Sequence, residues 1–322
     1  MYDILSIGDT TIDHIVQLKQ ADVHCTLDKG SCLLCLQYAE KIPVESWTRA
    51  VAGNAANNAT GSARLRMKTA IVTIVGNDDE GELITKTLKK EGVDVPMILK
   101  DYKKGTNAST VISYEGERTI LVYHEPRKYK LPHLPKAQWV YYTSVGKNHD
   151  RYNREIITYI KKTGAKLAYN PGSHQLNTGI NGMKKVLQFC TILFVNKEEA
   201  ARIIGIKPTI QQTLESLFVL GPRYVVVTDG DNGSYGYDGK MLHTLHVVKT
   251  KVVEKTGAGD SFATATIFAL NQGLPLVTAM HYGAINSASV IEYIGPQAGL
   301  LTKKEIEARF KKSKLKIESI KL

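Results

Sequence analysis

Six short apolar runs recur along the 322-residue chain, and they decide what it can fold into. They are DILSIGD (3–9), TAIVTIVG (69–76), WVYYTSVG (139–146), KLAYNPG (166–172), TILFVN (191–196) and YVVVTDG (224–230), most of them closing on Gly, Asn or Asp. Each reads as a buried strand. Between them lie amphipathic helical stretches: NAANNATGSARLRM (54–67), EGELITKTLKKEG (80–92), YNREIITYIKKTG (152–164) and TLESLFVLG (213–221), several closed by a C-terminal Gly. This βαβα order predicts a mostly parallel sheet covered by helices, with ligands beyond the carboxyl ends of the strands. Two segments break the rhythm. STVISYEGERTILVYH (109–124) reads as a hairpin turning at Glu115-Gly116-Glu117, and the stretch from about His14 to Trp47 is irregular, polar and Cys-containing. Both read as insertions standing off the main sheet.

The length suffices for a sizeable core, in one large α/β domain or two smaller ones. A hydrophobic fraction of 43% and a charged fraction of 23% are those of a soluble globular enzyme. No apolar run approaches the ~20 residues that span a bilayer, and the N-terminus MYDILSIGDTTID lacks a basic leader region. The expectation is a cytoplasmic protein with no membrane partner. A net charge of +11 admits nucleic acid. The lysines, however, are dispersed through helical stretches such as KTLKKEG and EIEARFKKSKLK. They read better as solvated faces and a field for anionic substrates than as a nucleic-acid interface.

The motif richest in chemistry is TGAGDSF (256–262), where two glycines bracket an alanine and a carboxylate opens a helical run. No Gly-Lys-Ser/Thr follows, so it is not a Walker A loop. It lacks the third glycine of a dinucleotide-binding fingerprint, and Asp260 would repel a pyrophosphate. Asp260 could simply cap a helix. A second reading uses every part: backbone N–H groups of Gly257, Ala258 and Gly259 hold a transferring phosphoryl group, while Asp260 takes the proton of an attacking alcohol.

With these residues in view, the chain resembles the ribokinase-like carbohydrate kinases, the pfkB family, over nearly its whole length. Gly8-Asp9 followed by Asp13 resembles the family's opening strand, whose acid binds substrate hydroxyls. AGNAANNATGSARL (52–65) is similar to the Gly-Gly-Asn-x-x-Asn signature, with Ala52 in place of the first glycine. FVNKEEA (194–200) matches Asn-x-x-Glu, VVTDGDNGS (226–234) resembles the Thr-x-Gly-x-x-Gly strand and turn, and AINSASVIEYIGPQAG (284–299) resembles the helix and loop flanking adenine. Each has a plainer alternative: a helix cap at Gly53-Asn54 and at Asn196 and Glu199, an idle strand-end acid at Asp13, a hairpin turn at Gly230 and Gly233.

The resemblance implies a doubly wound three-layer α/β/α domain carrying a small β-sheet lid. Residues 1–13, 49–104 and 125–322 would form the nucleotide- and substrate-binding core, and 14–48 and 105–124 the lid, with a homodimer forming through it. It implies transfer of the ATP γ-phosphoryl group to a primary hydroxyl. Asp13, Gly53, Asn54, Asn57 and Asn170 would orient the acceptor. Asp260 would be the base beside the Gly257-Ala258-Gly259 anion hole. Asn196 and Glu199 would organise Mg²⁺ through water, and Thr228, Gly230, Gly233, Asn286 and Gly295 would line the nucleotide site. Some members use K⁺ near an Asp-x-Thr; here Glu254-Lys255-Thr256, with a longer acid and an adjacent ammonium, counts against such a site.

The acceptor stays open among sugars, phosphosugars and nucleosides. Asn170-Pro171 looks more like ribokinases than 2-keto-3-deoxygluconate kinases. Arg118, Arg127 and Lys128 either grip a substrate phosphate or are solvated charge. A non-catalytic sugar sensor is disfavoured by the intact Asp260 and its glycines. Finally, His24, Cys25, Cys32 and Cys35 are a candidate tetrahedral Zn²⁺ set. The alternative is a strand whose thiols act as small apolar groups, and a disulfide is disfavoured in a cytoplasmic protein.

Overall fold

The computed structural model describes residues 1–26 and 31–322. Among these, ten strands form one sheet: β1 (Tyr2–Ile7), β6 (Thr69–Gly76), β7 (Ile98–Asp101), β10 (Ala137–Tyr142), β11 (Lys166–Tyr169), β12 (Ile192–Asn196), β13 (Tyr224–Thr228), β14 (Ser234–Tyr237), β15 (Met241–Leu245) and β16 (Ile317–Lys321). The order is β16-β15-β14-β13-β12-β11-β10-β1-β6-β7. The pairings from β7 to β13 are parallel, and β14 to β16 continue antiparallel. The chain leaves β1 in one direction to β6 and returns to its other side at β10. The crevice at that switch, beyond the ends of β1 and β10, is where open α/β sheets bind ligands.

Both faces of this sheet are buried, and consecutive residues feed opposite cores. Leu5, Ile7, Tyr142, Tyr169, Val195 and Val227 pack with the helices Asp150–Thr163, Gly179–Leu187, Lys197–Ile204 and Ile210–Phe218. Ile4, Trp139, Tyr141, Ile192, Phe194 and Val226 pack on the other face against Ala258–Asn271 and Leu276–Val290. The helix Ala258–Asn271 is buried from Asp260 through Leu270, with no solvent face along that stretch. Glycines of the neighbouring helices admit the close approach: a Cβ on Gly61 would lie 2.9 Å from the Thr264 methyl, and one on Gly283 would lie 2.8 Å from the Phe262 carbonyl.

A separate four-stranded sheet, ordered β5-β2-β8-β9, is made from β2 (Thr11–Leu18), β5 (Val44–Ala52), β8 (Ala108–Tyr114) and β9 (Glu117–Tyr123). The hairpin joining β8 to β9 turns on Glu115 and Gly116, with φ of 51° and 81°. Two left-handed residues are what a twisted two-residue hairpin needs. The segment expected to be irregular is instead mostly strand: β2, a two-stranded hairpin of β3 (Asp22–Thr26) and β4 (Ser31–Cys35), and β5. Strand β5 hid from the sequence because it is exposed on both faces for most of its length, which erases polar–apolar alternation. The sheet also includes Thr11–Asp13 and Arg49–Ala52, which the sequence reading assigned to the core.

Where the chain passes between the sheets it is braced by hydrogen bonds. Asn107 donates its amide to the Thr10 carbonyl at 3.3 Å and accepts from the Glu125 N–H at 3.0 Å. The Asp78 carboxylate takes the Thr106 N–H at 2.7 Å and its hydroxyl at 2.5 Å. Arg127, expected on the surface or on a substrate phosphate, is buried here. It donates to Asp101 at 3.2 Å and to the Gly105 carbonyl at 2.5 Å.

The zinc expectation is corrected. Cys25 and Cys32 lie opposite each other in the β3–β4 register and form a disulfide, which removes both thiolates as ligands. His24 and Cys35 sit one and three positions away, on the other face of the hairpin. Among the described residues no group of three or more His, Cys, Asp or Glu could hold a metal. Cys35 and Cys190 remain free, Cys190 being buried. Thiol titration of unreduced, denatured protein should therefore give two thiols per chain; four would show that the hairpin is not cross-linked.

Candidate active site

The site is built where the buried helix meets the switch crevice. Gly257 caps that helix with φ of 80°, and a side chain there would strike Pro296, whose Cα and Cβ lie 2.8 and 2.7 Å from its ideal Cβ position. Glycine is thus required twice over, by conformation and by space. The N–H groups of the first helical turn lack intrahelical partners and carry the positive end of the helix dipole. Ala258 is half-buried and Gly259 exposed, so this donor cluster faces outward.

Asp260 sits one residue further in and is 7% exposed. Its Oδ2 accepts from Asn57 Nδ2 at 2.8 Å, and its Oδ1 lies 3.2 Å from the Tyr141 hydroxyl. Burial raises its pKa to about 6, against the lowering effect of its donors, Asn57, Tyr141 and Asn54. Burial also holds Tyr141 well above the ordinary tyrosine range, so it remains a donor. The carboxylate is therefore ionised at neutral pH, nearly surrounded by protein, and close to its switching point. That is the state a proton acceptor needs.

Gly53 begins the helix Asn54–Arg64 with φ of 94°, and a Cβ there would lie 2.8 Å from the Asp9 carbonyl and from Thr10 Cα. The helix aims Asn57 at Asp260 and Asn54 at Asn170, 3.3 Å away. Asn170 is fixed by donating to the Phe194 carbonyl at 2.9 Å. Asp13 reaches the crevice from β2. It is 6% exposed, and its Oδ1 has no hydrogen-bond partner. Burial, and to a lesser degree the charge of Glu254, raise its pKa to about 7 although Ser109 hydrogen-bonds to it. A buried carboxylate oxygen without a donor is costly unless something else supplies one.

Asn196 and Glu199 form a reciprocal capping box: the Asn196 side chain accepts from the Glu199 N–H at 2.7 Å, and Glu199 accepts from the Asn196 N–H at 2.9 Å. The plainer reading of that pair is thus realised, yet it does not exhaust Glu199. Burial raises its pKa, and the Asp260 charge adds to the rise. A second, half-buried acid whose pKa is raised in part by Asp260 fits a hydrated Mg²⁺, which takes one or two carboxylates plus phosphates and water. Thr228 ends β13, and Gly230 and Gly233 bracket the one-turn 3₁₀ helix that follows, on the half-exposed rim. Asn286 departs from expectation. It is 1% exposed and donates to the Ser261 carbonyl at 2.9 Å while accepting from the Leu301 N–H at 3.1 Å, so it braces two core segments instead of facing a nucleotide.

The Glu254-Lys255-Thr256 stretch is held by protein contacts. Glu254 is 1% exposed; one oxygen accepts from the Thr256 hydroxyl and the other from the Gly295 N–H at 2.6 Å. The adjacent Lys255 ammonium pairs with Glu117 at 2.6 Å. Each Glu254 oxygen thus accepts one protein donor, and Gly295 is thereby tied to the core.

Two site residues escaped the sequence reading. Tyr141 lay inside an apolar run whose facing cannot be phased from sequence alone. Gln297, whose Nε2 donates to Asn57 Oδ1 at 3.1 Å, stood in the quoted GPQAG and was passed over.

A helix-start donor cluster beside a buried, donor-held carboxylate, at the carboxyl edge of a parallel sheet, suits a phosphotransferase acting on an alcohol. The comparisons agree. Residues 2–303 match the pfkB family carbohydrate kinase model, and the chain belongs to that family: it is an ATP-dependent kinase. It is 24% identical to an ATP-dependent 6-phosphofructokinase of Thermoanaerobacterium thermosaccharolyticum, covering 91% of this chain and 89% of that one. A nucleoside kinase of Methanothermobacter thermautotrophicus is 23% identical, with 96% and 95% covered. In structure it is similar to Arabidopsis thaliana ribokinase complexed with ribose and ATP, with a TM-score of 0.80 at 21% identity over 97% of this chain and 99% of that one. The fold is therefore ribokinase-like.

Because the Asp260 pKa is raised to about 6, the acceptor form of this group fills as pH increases through that value. The rate of phosphoryl transfer should rise along an acid limb with a midpoint near pH 6. Asp260→Asn should lower kcat by ~10²–10⁴-fold at pH 8 while ATP affinity changes little. A variant retaining more than about a tenth of the wild-type kcat, measured by coupled ADP release, would remove Asp260 from the base role.

Proposed function

We propose that the protein transfers the γ-phosphoryl group of ATP to a primary hydroxyl of a small neutral sugar bound between the two sheets. The observation that carries this reading is the pair of buried acids on opposite sides of the crevice. Asp260 on the core helix has its donors in place; Asp13 on β2 has an oxygen with none. A sugar supplies what both lack, a hydroxyl to donate to Asp13 and a second to lose its proton to Asp260. Asn54, Asn57 and Asn170 would orient the ring. As the new O–P bond forms, the bond from the γ-phosphorus to the β,γ-bridging oxygen breaks and ADP leaves with its electron pair; Asp260 takes the hydroxyl proton, and the N–H groups of Gly257, Ala258 and Gly259 receive the charge developing on the phosphoryl oxygens. Asn196 and Glu199 would hold a hydrated Mg²⁺, which when bound would supply further neutralisation of the phosphates. The turn at Thr228, Gly230 and Gly233 and the loop at Gly295 would lie against the nucleotide, and the small sheet would act as a lid that keeps water from the reacting phosphate.

A phosphosugar is disfavoured because Arg127 is engaged inside the protein, leaving Arg118 and Lys128 as isolated exposed charges. A nucleoside is the second reading, supported by the relative named a nucleoside kinase. A coupled ADP-release screen over neutral sugars, phosphosugars and nucleosides decides among them. The expected result is turnover with a neutral sugar, and with Asp13→Ala a loss of acceptor affinity far exceeding any loss for ATP. Turnover with nucleosides alone moves the assignment to the second reading, and none with any acceptor defeats the kinase assignment as drawn.

The lid reading extends to a homodimer. Strand β9 is the exposed edge of the small sheet and carries Leu121, Val122 and Tyr123 at 57, 57 and 58% exposure. An exposed apolar edge strand invites pairing with a second strand. Light scattering should give twice the 35.6 kDa chain mass for wild type and the monomer mass for Leu121→Lys; a wild-type monomer at micromolar concentration would remove the dimer.

A further inference from the structure

We infer that Gln297 is a positioning residue for phosphoryl transfer, setting the charge state of Asp260 through Asn57. The inference rests on the reading of Asp260 as the base. A side-chain amide has nearly the same shape with its oxygen and nitrogen exchanged, so contact between Asn57 and Asp260 does not by itself say which atom faces the carboxylate. Only the nitrogen stabilises the ionised form; the oxygen would repel it. The choice is made at the other end of the amide. Gln297 Nε2 donates to Asn57 Oδ1 at 3.1 Å, and this turns Asn57 Nδ2 onto Asp260 Oδ2 at 2.8 Å. Asn57 and Asp260 are 4% and 7% exposed, which leaves little room for water to take over either bond.

Gln297 is in turn held in place more firmly than a loop residue needs to be. Its carbonyl accepts from Arg64 Nη1 at 2.8 Å, and Arg64 is clamped by two bonds to Glu91 at 2.8 and 2.9 Å. Its Oε1 faces the Thr60 hydroxyl at 3.4 Å, so its own amide has its oxygen assigned and its nitrogen free for Asn57. Upstream, the Gly295 N–H is fixed on Glu254, and Pro296 packs on Gly257. A closed path therefore runs from the anion-hole glycine through Pro296, Gln297 and Asn57 to Asp260, and back along the helix start to Gly257. Loop 295–297 couples the two halves of the catalytic apparatus.

The test uses Gln297→Met, which keeps the length, removes the donor and adds no charge. Gln297→Glu places an acceptor where the donor stood and so draws the Asn57 nitrogen away from Asp260. Both should move the acid limb of kcat upward by roughly one unit, with ATP affinity unchanged and the rate approaching wild type at high pH. The Glu variant should move further. A merely structural role predicts an equal loss at every pH and an unmoved limb. Titration of ¹³Cγ-labelled aspartates by NMR, with Asp260→Asn identifying the resonance, reads the same shift without turnover. Should the Met variant melt below the assay temperature, the Glu variant, which retains a polar partner for Thr60, carries the test. An Asp260 titration unchanged in the folded variants overturns the inference. A wild-type enzyme with no limb near pH 6 would instead defeat the base assignment, leaving the NMR titration to decide on Gln297.

Discussion

One carboxylate placed at the start of a buried helix governs much of the architecture. A charge there is costly unless donors surround it, and the helix dipole favours an acid at this end. Three separate stretches of chain must therefore converge on Asp260: the helix Asn54–Arg64 to deliver Asn57, strand β10 to deliver Tyr141, and the loop 295–297 to fix Asn57. Because the helix Ala258–Asn271 has no solvent face from Asp260 to Leu270, it cannot shift to relieve a poor fit without disturbing its neighbours on every side. Position is imposed from outside the motif, and the motif exploits it.

The small sheet answers to a different constraint. Its strands bury few of their side chains, so its own core is thin, and its stability comes from where it meets the rest. Asn107, Asp78, Thr106 and Arg127 brace the passages in and out, and Lys255 reaches from beside the anion hole to Glu117 near the hairpin tip. That last pair is half-exposed and worth little to stability. Its interest lies in joining the residue before Thr256 to the far end of the other sheet.

The parallel sheet was legible because its strands are apolar on both faces and bounded by turn residues, a pattern that depends on local sequence alone. The convergence of Asp260, Asn57, Asn54 and Asn170 was legible only through resemblance, since no spacing brings residues 57, 170 and 260 together. Elsewhere the sequence reading failed for physical reasons. Strand β5 lacks alternation because it is the edge of a thin sheet and is exposed for most of its length, and β3 and β4 stand off as a separate pair. Tyr141 and Tyr142 are adjacent, and only the register of β10 decides which one meets Asp260 and which packs on the opposite face. Asn286 was read as a ligand, whereas its amide bridges Ser261 and Leu301. The zinc set fell to antiparallel register, which put Cys25 opposite Cys32 and left the other two side chains facing away.

Asp13 and Asp260 come from separate sheets with separate supports, and that arrangement bears on how such a chain can change over generations. Asp260 and the residues hydrogen-bonded to it are locked in the core by contacts that any substitution would disturb at several points. Strands β5 and β9, by contrast, are exposed along most of their length, in a thin outer layer where replacements have few neighbours to offend. Descent can therefore vary the outer layer freely while the buried, hydrogen-bonded set around Asp260 is inherited almost unaltered.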